Sequence, residues 1–115
     1  MVAALKQKHP GVPVIGFPRG AGQRAKRYIA ETGVDAIGCD TAMPLALMRD
    51  LAPHAAVQGN LDPLLLVAGG PAMAKRVDEI KRAMAGQLHV FNLGHGIVPQ
   101  TPPEHVAELV KLVRG

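Results

Sequence analysis

Aromatic side chains are scarce in this sequence of 115 residues, which holds two Phe, one Tyr and no Trp. Proteins that bind single-stranded nucleic acid stack the bases on aromatic rings, so the composition argues against nucleic acid as a partner. The single cysteine, Cys39, excludes an internal disulfide and Cys-rich zinc modules. No apolar run approaches the roughly 18 residues that cross a membrane. Residues 1–11 lack the apolar core of a signal peptide, so we expect a cytoplasmic protein with no membrane partner.

Glycine and proline are abundant instead, with 13 and 10 residues, in a chain that is 48% hydrophobic. Because so many apolar residues remain to form a core, these residues indicate tight turns between short elements rather than disorder. The formal net charge is +4 with histidine neutral. That charge fits a polyanionic small molecule, and it also fits an ordinary solvated basic surface. Length alone indicates one small domain, residues 1–115.

Predicted strands and helices alternate along the chain. Apolar runs bounded by turn residues predict four strands, Val12–Phe17, Val34–Cys39, Ala55–Gln58 and His89–Leu93. Helical periodicity predicts helices at Val2–Lys8, Gln23–Thr32, Leu64–Val67 and Pro71–Met84. Another helix is predicted to follow Asp40 or Thr41, to hold Leu45, Leu47, Met48 and Leu51, and to stop before Pro53, and a last helix to begin at Pro102. Short loops between alternating elements predict right-handed crossovers and a parallel sheet. The predicted fold class is therefore α/β, built from four consecutive βα units.

Helix boundaries follow from capping residues. We expect Gly33 to end one helix in the left-handed conformation, and Asp40 or Thr41 to cap the next helix. Asp62 followed by Pro63 predicts a strong helix start. The Thr-x-x-Glu spacing of Thr101 and Glu104 predicts a capping box. Two apolar helix faces are also predicted: Met73, Val77, Ile80 and Met84, and Val106, Leu109, Val110 and Val113.

Ligands of parallel α/β proteins bind at the carboxyl ends of the strands. One candidate there is Gly20–Ala25, a G-x-G-x-x-A string between a strand and a helix, with Asp40 after the next strand. This spacing resembles a dinucleotide fingerprint, with pyrophosphate at the helix N-terminus and a ribose hydroxyl on Asp40. The alternatives are a plain glycine-rich loop and Asp40 as a helix cap. Arg19 could pair with a substrate carboxylate or be a surface residue.

His95 differs from the other four histidines. It lies between two glycines just past a strand, where a ligand can approach closely and an imidazole can donate to a carboxylate. The alternative is a loop histidine bonded to a nearby carbonyl. We expect solvated side chains for His9, His54 and His105, and a structural role for His89. The spacing of the five histidines does not predict a zinc site, and no nucleophile elbow, Cys–His pair or Walker loop is present.

Two strings, Val57–Pro63 and Phe91–Ile97, carry a resemblance to a known family. Further segments agree with that family in order and spacing: Val14–Phe17, Gly33–Asp40, Pro99 and Thr101–Val106. On these residues the whole chain resembles the uroporphyrinogen decarboxylase family. The resemblance implies a (β/α)8 barrel, a homodimer, and decarboxylation of the four acetate groups of uroporphyrinogen to give coproporphyrinogen in haem biosynthesis. It implies no metal or organic cofactor.

Only one substrate-site residue of the family maps onto this chain, and it is His95. The family's key Asp, arginines, Tyr and hydroxyl residue come from earlier strands, so the resemblance implies no catalytic residue here. Four βα units amount to the carboxyl-terminal half of an eight-unit barrel. We therefore expect the chain alone to be inactive, and to self-associate or pair with the missing amino-terminal half.

Two other functions remain as alternatives at this stage. The first is a non-enzymatic dinucleotide- or anion-binding module that uses Gly20–Ala25. The second is a cobalamin-linked methyltransferase of the same superfamily, which would place metal-binding His and Cys near the barrel end, a pattern missing from this sequence.

Overall fold

The computed structural model describes all 115 residues and contains one four-stranded parallel sheet in the order β1-β2-β3-β4. The strands are β1 (Ile15–Gly16), β2 (Ala36–Gly38), β3 (Ala56–Gln58) and β4 (His89–Val90). The helices are α1 (Val2–Lys8), α2 (Ala25–Thr32), α3 (Leu45–Leu51), α4 (Pro63–Ala68), α5 (Gly70–Ala83) and α6 (Pro103–Arg114), with a 3₁₀ turn at Gly22–Arg24. The predicted α/β class with four consecutive βα units is confirmed, and the parallel sheet matches part of a (β/α)8 barrel.

The strands are shorter than predicted, most of all β1. Pro13 has no N–H to donate, and the N–H of Val14 donates to the Asp35 carboxylate at 2.8 Å rather than to a strand. Lys6 also contacts that carboxylate, at 3.1 Å, and so ties α1 to the sheet. The Val14 N–H first, and then Lys6, hold the pKa of Asp35 below its ordinary value. The amino edge of the sheet is thus held by one exposed carboxylate.

One face of the sheet is covered by helices. The register pairs Gly16 with Ile37, Ile37 with Val57, and Val57 with His89, so these residues share a face. Ile37 and Val57 are fully buried there beneath α2 and α3, in a core with Met48 and Leu51. A second, smaller core lies between α4, α5 and α6. Met73, Val77, Ile80 and Met84 are all buried, as the helical spacing predicted.

The other face of the sheet is open. Ile15, Ala36 and Ala56 share it, followed two residues later by Gly38, Gln58 and Val90. Ile15, Phe17 and Val90 are 56%, 49% and 51% exposed. No element of this chain covers these apolar side chains.

Two of the four helix-boundary predictions are confirmed and two are wrong. Gly33 ends α2 with φ +68°, and Asp62 caps α4 through the N–H of Leu64. Neither Asp40 nor Thr41 caps α3, because that helix begins only after Pro44 and has no side-chain cap.

The capping box at Thr101 does not form. The Thr101 hydroxyl donates back to the Val98 carbonyl at 2.7 Å, and the second proline of the pair moves the start of α6 to Pro103. The predicted apolar face of α6 is also wrong at Val110, which is exposed, while Leu112 packs into the smaller core instead. Val110 lines an apolar groove of about 230 Å³ between α6 and residues 91–93, which directly follow β4.

Candidate functional site

The loops that follow the four strands meet at the carboxyl edge of the sheet, because all four strands are parallel. A cavity of about 440 Å³ opens at this edge. Its lining includes Phe17 after β1, Gly38 and Gln58 from β2 and β3, and the segment Asn92–Ile97 after β4. The sequence placed its candidate site at the same edge.

His95 lies on the wall of this cavity. Its ring meets the ring of Phe17 edge to face, with the centroids 6.4 Å apart and the planes at 82°. The side chain is half-buried and has no hydrogen-bond partner within the chain. The alternative of a histidine bonded to a nearby carbonyl therefore does not apply, and both ring nitrogens remain free for a ligand.

Gly94 fixes the position of the His95 loop. A Cβ on Gly94 would clash with the backbone N and the hydroxyl of Thr41, so the backbone of the β4 loop rests directly on the β2 loop. The N–H of Gly94 also donates to the carbonyl of Leu61 at 2.8 Å. Only glycine permits this close approach.

Asp40 is buried, and its carboxylate is already used within the chain. One carboxylate oxygen accepts from the N–H of Gly20 at 2.5 Å, which joins the loops after β1 and β2. The 3₁₀ turn, which begins at Gly22, lies between Gly20 and the N-terminus of α2. A dinucleotide would need both a free acidic side chain and the helix N-terminus next to the glycines, so the geometry gives the Gly20–Ala25 alternative no support.

Asn60 is the site residue that sequence reasoning missed. It is 1% exposed, and its side-chain NH₂ donates to the carbonyls of Asp40 at 2.8 Å and Met43 at 2.9 Å. Gly59 precedes it with φ +130°, and a Cβ there would lie 2.6 Å from the carbonyl oxygen of Cys39. In the sequence, Asn60 appears as a member of the Val57–Pro63 string and of a Gly-Asn pair typical of an ordinary turn, and neither pattern reveals its hydrogen-bond partners.

The remaining histidines stand away from the cavity wall. His89 has the expected structural role, with Nε2 2.6 Å from the Gly59 carbonyl, and His9 and His54 are exposed as expected. His105 is not solvated: its Nδ1 lies 2.9 Å from the Leu66 carbonyl and its ring fills the space beside Gly69. Leu66 lies in the last turn of α4, where carbonyls have no partner within the helix, and helical periodicity could not reveal that His105 of α6 meets it. No three His, Cys, Asp or Glu side chains cluster as metal ligands would.

Cys39 and Arg19 occupy opposite environments at this edge. Cys39 is buried, and desolvation, with a smaller contribution from the charge of Asp40, raises the pKa of its thiol to about 12. It therefore stays protonated and does not act as a nucleophile near neutral pH. Arg19 is exposed on the loop after β1 and forms no ion pair, so it remains available to an anion.

No helix combines the length and the apolar character that crossing a membrane would require.

Comparison with known proteins places this arrangement in a family. The model of the uroporphyrinogen decarboxylase family matches residues 1–115. A uroporphyrinogen decarboxylase of Granulibacter bethesdensis is 61% identical over 115 residues, which is 99% of this chain and 34% of the relative. Those of Acidiphilium cryptum and Gluconacetobacter diazotrophicus are 55% and 56% identical over 99% of this chain and 32% and 33% of their own lengths.

The chain spans about a third of the length of these relatives. The relatives match 99% of the chain, and the family model matches all of it. The chain therefore belongs to the uroporphyrinogen decarboxylase family.

Proposed function

We propose that this chain forms the carboxyl-terminal half-barrel, residues 1–115, of an enzyme that decarboxylates the four acetate groups of uroporphyrinogen to coproporphyrinogen. Family membership over the whole chain supports the reaction. The four βα units of the sheet support the architecture, since an eight-unit barrel would gain its other four units from the rest of the protein. The complete enzyme is a cytoplasmic homodimer in this proposal.

The role proposed for His95 is to bind a carboxylate of the substrate. The observation that carries it is the placement of an unpartnered imidazole on the wall of the cavity at the carboxyl edge. A protonated imidazole donates a charge-assisted hydrogen bond to a carboxylate, which is stronger than a neutral one. The net charge of +4 and the exposed Arg19 are consistent with a polycarboxylate near this edge.

The chain by itself lacks an acid–base pair at this edge. Asp40 accepts from Gly20, Asp62 caps α4, and Cys39 is a protonated buried thiol. We therefore propose that the catalytic groups lie in the other half of the barrel, and that the 115-residue chain alone produces no coproporphyrinogen.

The test uses a chimera, in which this chain replaces the matched third of the Granulibacter bethesdensis relative. The chimera should form coproporphyrinogen from uroporphyrinogen, whereas the 115-residue chain should not. His95→Ala in the chimera should lower kcat/KM by about tenfold to a hundredfold, the usual loss of a hydrogen bond to a charged group.

His54→Ala is the matched control, because the side chain of His54 is exposed and forms no hydrogen bond. It should leave the kinetics unchanged. A folded chimera without decarboxylase activity, beside an active parent enzyme, would refute the proposed reaction. Unchanged kinetics in His95→Ala would refute the role of His95 alone.

A further inference from the structure

We propose that Asn60 is a positioning residue, which sets the place of His95 at the cavity without touching the substrate. The inference rests on the proposed function, because it gives His95 its task. Asn60 lies in the loop after β3, within the Val57–Pro63 string, and the sequence does not indicate which groups its side chain contacts.

Asn60 holds the loop after β2 in place through two hydrogen bonds. The turn at Asp40–Met43 has its own hydrogen bond, from the N–H of Met43 to the Asp40 carbonyl at 3.1 Å. Both donors of the buried Asn60 amide are spent on the carbonyls at the two ends of this turn, Asp40 and Met43. The Asp40 carbonyl also accepts within the turn, whereas the Met43 carbonyl depends on Asn60 for its partner. Because a buried carbonyl without a partner is costly, the amide holds the Met43 end of this turn in place relative to β3.

The turn at Asp40–Met43 is in direct contact with the loop after β4. Thr41, inside the turn, is in contact with Gly94 so close that no Cβ fits between them. Gly94 immediately precedes His95. Any shift of the turn at Asp40–Met43 therefore displaces the residue before His95.

The loop after β3 holds the other side of the same segment. The N–H of Leu61 donates to the Asn92 carbonyl at 3.1 Å, and the N–H of Gly94 donates to the Leu61 carbonyl. The His95 loop is thus held by hydrogen bonds to Leu61, next to Asn60, and by contact with the turn to which Asn60 donates. Positioning groups of this kind change rate or affinity when a site loosens by as little as 1 Å.

A double-mutant cycle in the chimera separates positioning from simple destabilisation. Asn60→Ala should lower kcat/KM about tenfold, and in a His95→Ala background the same change should cost no more than about twofold. The two effects overlap because both remove the same contact with the substrate. Val77→Ala, a buried change in α5, is the control, and its effect on kcat/KM should be equally small in both backgrounds.

Asn60→Ser keeps one hydrogen-bond donor and serves as the second variant, with an intermediate loss expected. If the Asn60 and His95 effects multiply in full, the residue does not act through His95 and the proposal fails while the proposed function stands. If His95→Ala has no effect, the role of His95 and this proposal fail together. If both Asn60 variants fail to fold, Asn60 serves the fold rather than the site, and the proposal is overturned.

Discussion

The two faces of the sheet are both apolar in sequence, yet they have opposite fates in the structure. Ile37 and Val57 are fully buried beneath helices of the same chain. Ile15, Phe17 and Val90 remain about half exposed on the other face. A strand buried on both faces has a continuous apolar run, and this sequence has the composition of such strands.

This difference indicates that the open face lacks the cover that its apolar residues require. Apolar side chains stabilise a folded protein only when other groups cover them and exclude water. Here the helices supply that cover on one side, whereas nothing in this chain covers the other. In the proposed half-barrel, the strands of the other half would supply the missing cover.

The largest effect is expected on the covered face. Ile37→Ala should lower the free energy of unfolding of the 115-residue chain by about 2–5 kcal/mol, because it leaves a cavity in a closely packed core. Ile15→Ala on the open face should cost less than about 1 kcal/mol, since half of that side chain already meets water. Urea unfolding of dilute samples measures both values.

The same pair of variants sharpens the comparison in the chimera. There the other half should cover the open face, so Ile15→Ala should become as costly as other core truncations. A large cost of Ile15→Ala in the dilute chain would contradict the description of an open face.

A second, pH-dependent effect belongs to Cys39 on the covered face. Its pKa is raised from 9.0 to about 12 in the folded chain, so the unfolded chain releases the thiol proton first as the pH rises. The stability that the neutral thiol contributes is therefore complete below pH 9 and is lost as the pH approaches 12. We expect the unfolding free energy to fall more steeply above pH 9 in the parent chain than in Cys39→Ala.

The comparison with Cys39→Ala isolates the thiol, because the two proteins share every other titratable group. Parallel stability curves for the two proteins between pH 8 and 11 would show that the thiol ionises freely and is not buried as described.

Substitutions on the open face should have the smallest effect on stability but a large effect on self-association. Besides its exposed apolar side chains, the sheet has two unpaired edges, β1 and β4. We expect the 115-residue chain to self-associate at micromolar concentration. Phe17→Ser combined with Val90→Thr should weaken that association while changing the unfolding free energy by less than about 1 kcal/mol.

Sedimentation velocity over a concentration series measures this association. Leu64→Ser provides the matched control, because Leu64 is 66% exposed on α4, away from the sheet. A parent chain that sediments as a monomer, or a control variant that dissociates it equally well, would contradict an open face that drives association.

Local sequence signals predicted some helix boundaries and failed at others for physical reasons. Asp62 and Pro63 act within one turn of backbone, so their pattern correctly predicted the start of α4. Asp40 has the same capping chemistry, but its carboxylate accepts from the N–H of Gly20 in the loop after β1 and does not cap α3. Thr101 bonds backwards to Val98 because two consecutive prolines shift the start of α6.

The candidate site divides in the same way. The glycines around His95 marked a loop with room for a ligand, and the parallel order of strands located that loop at the carboxyl edge. Asn60 was missed because its two partners lie 20 and 17 residues away in the sequence. No periodicity or motif reports a hydrogen bond across two loops.

The sequence by itself determined the alternation of strands and helices, the parallel sheet and the resemblance to one family, because these depend on periodicity and short strings. Only the tertiary structure decided that Asp40 joins two loops, that Asn60 links β3 to the turn at Asp40–Met43, and that one apolar face stays open. Those outcomes depend on which distant groups meet. Hydrogen bonds act over about 3 Å, and burial depends on what lies across the gap, so neither can be read from neighbouring residues along the chain.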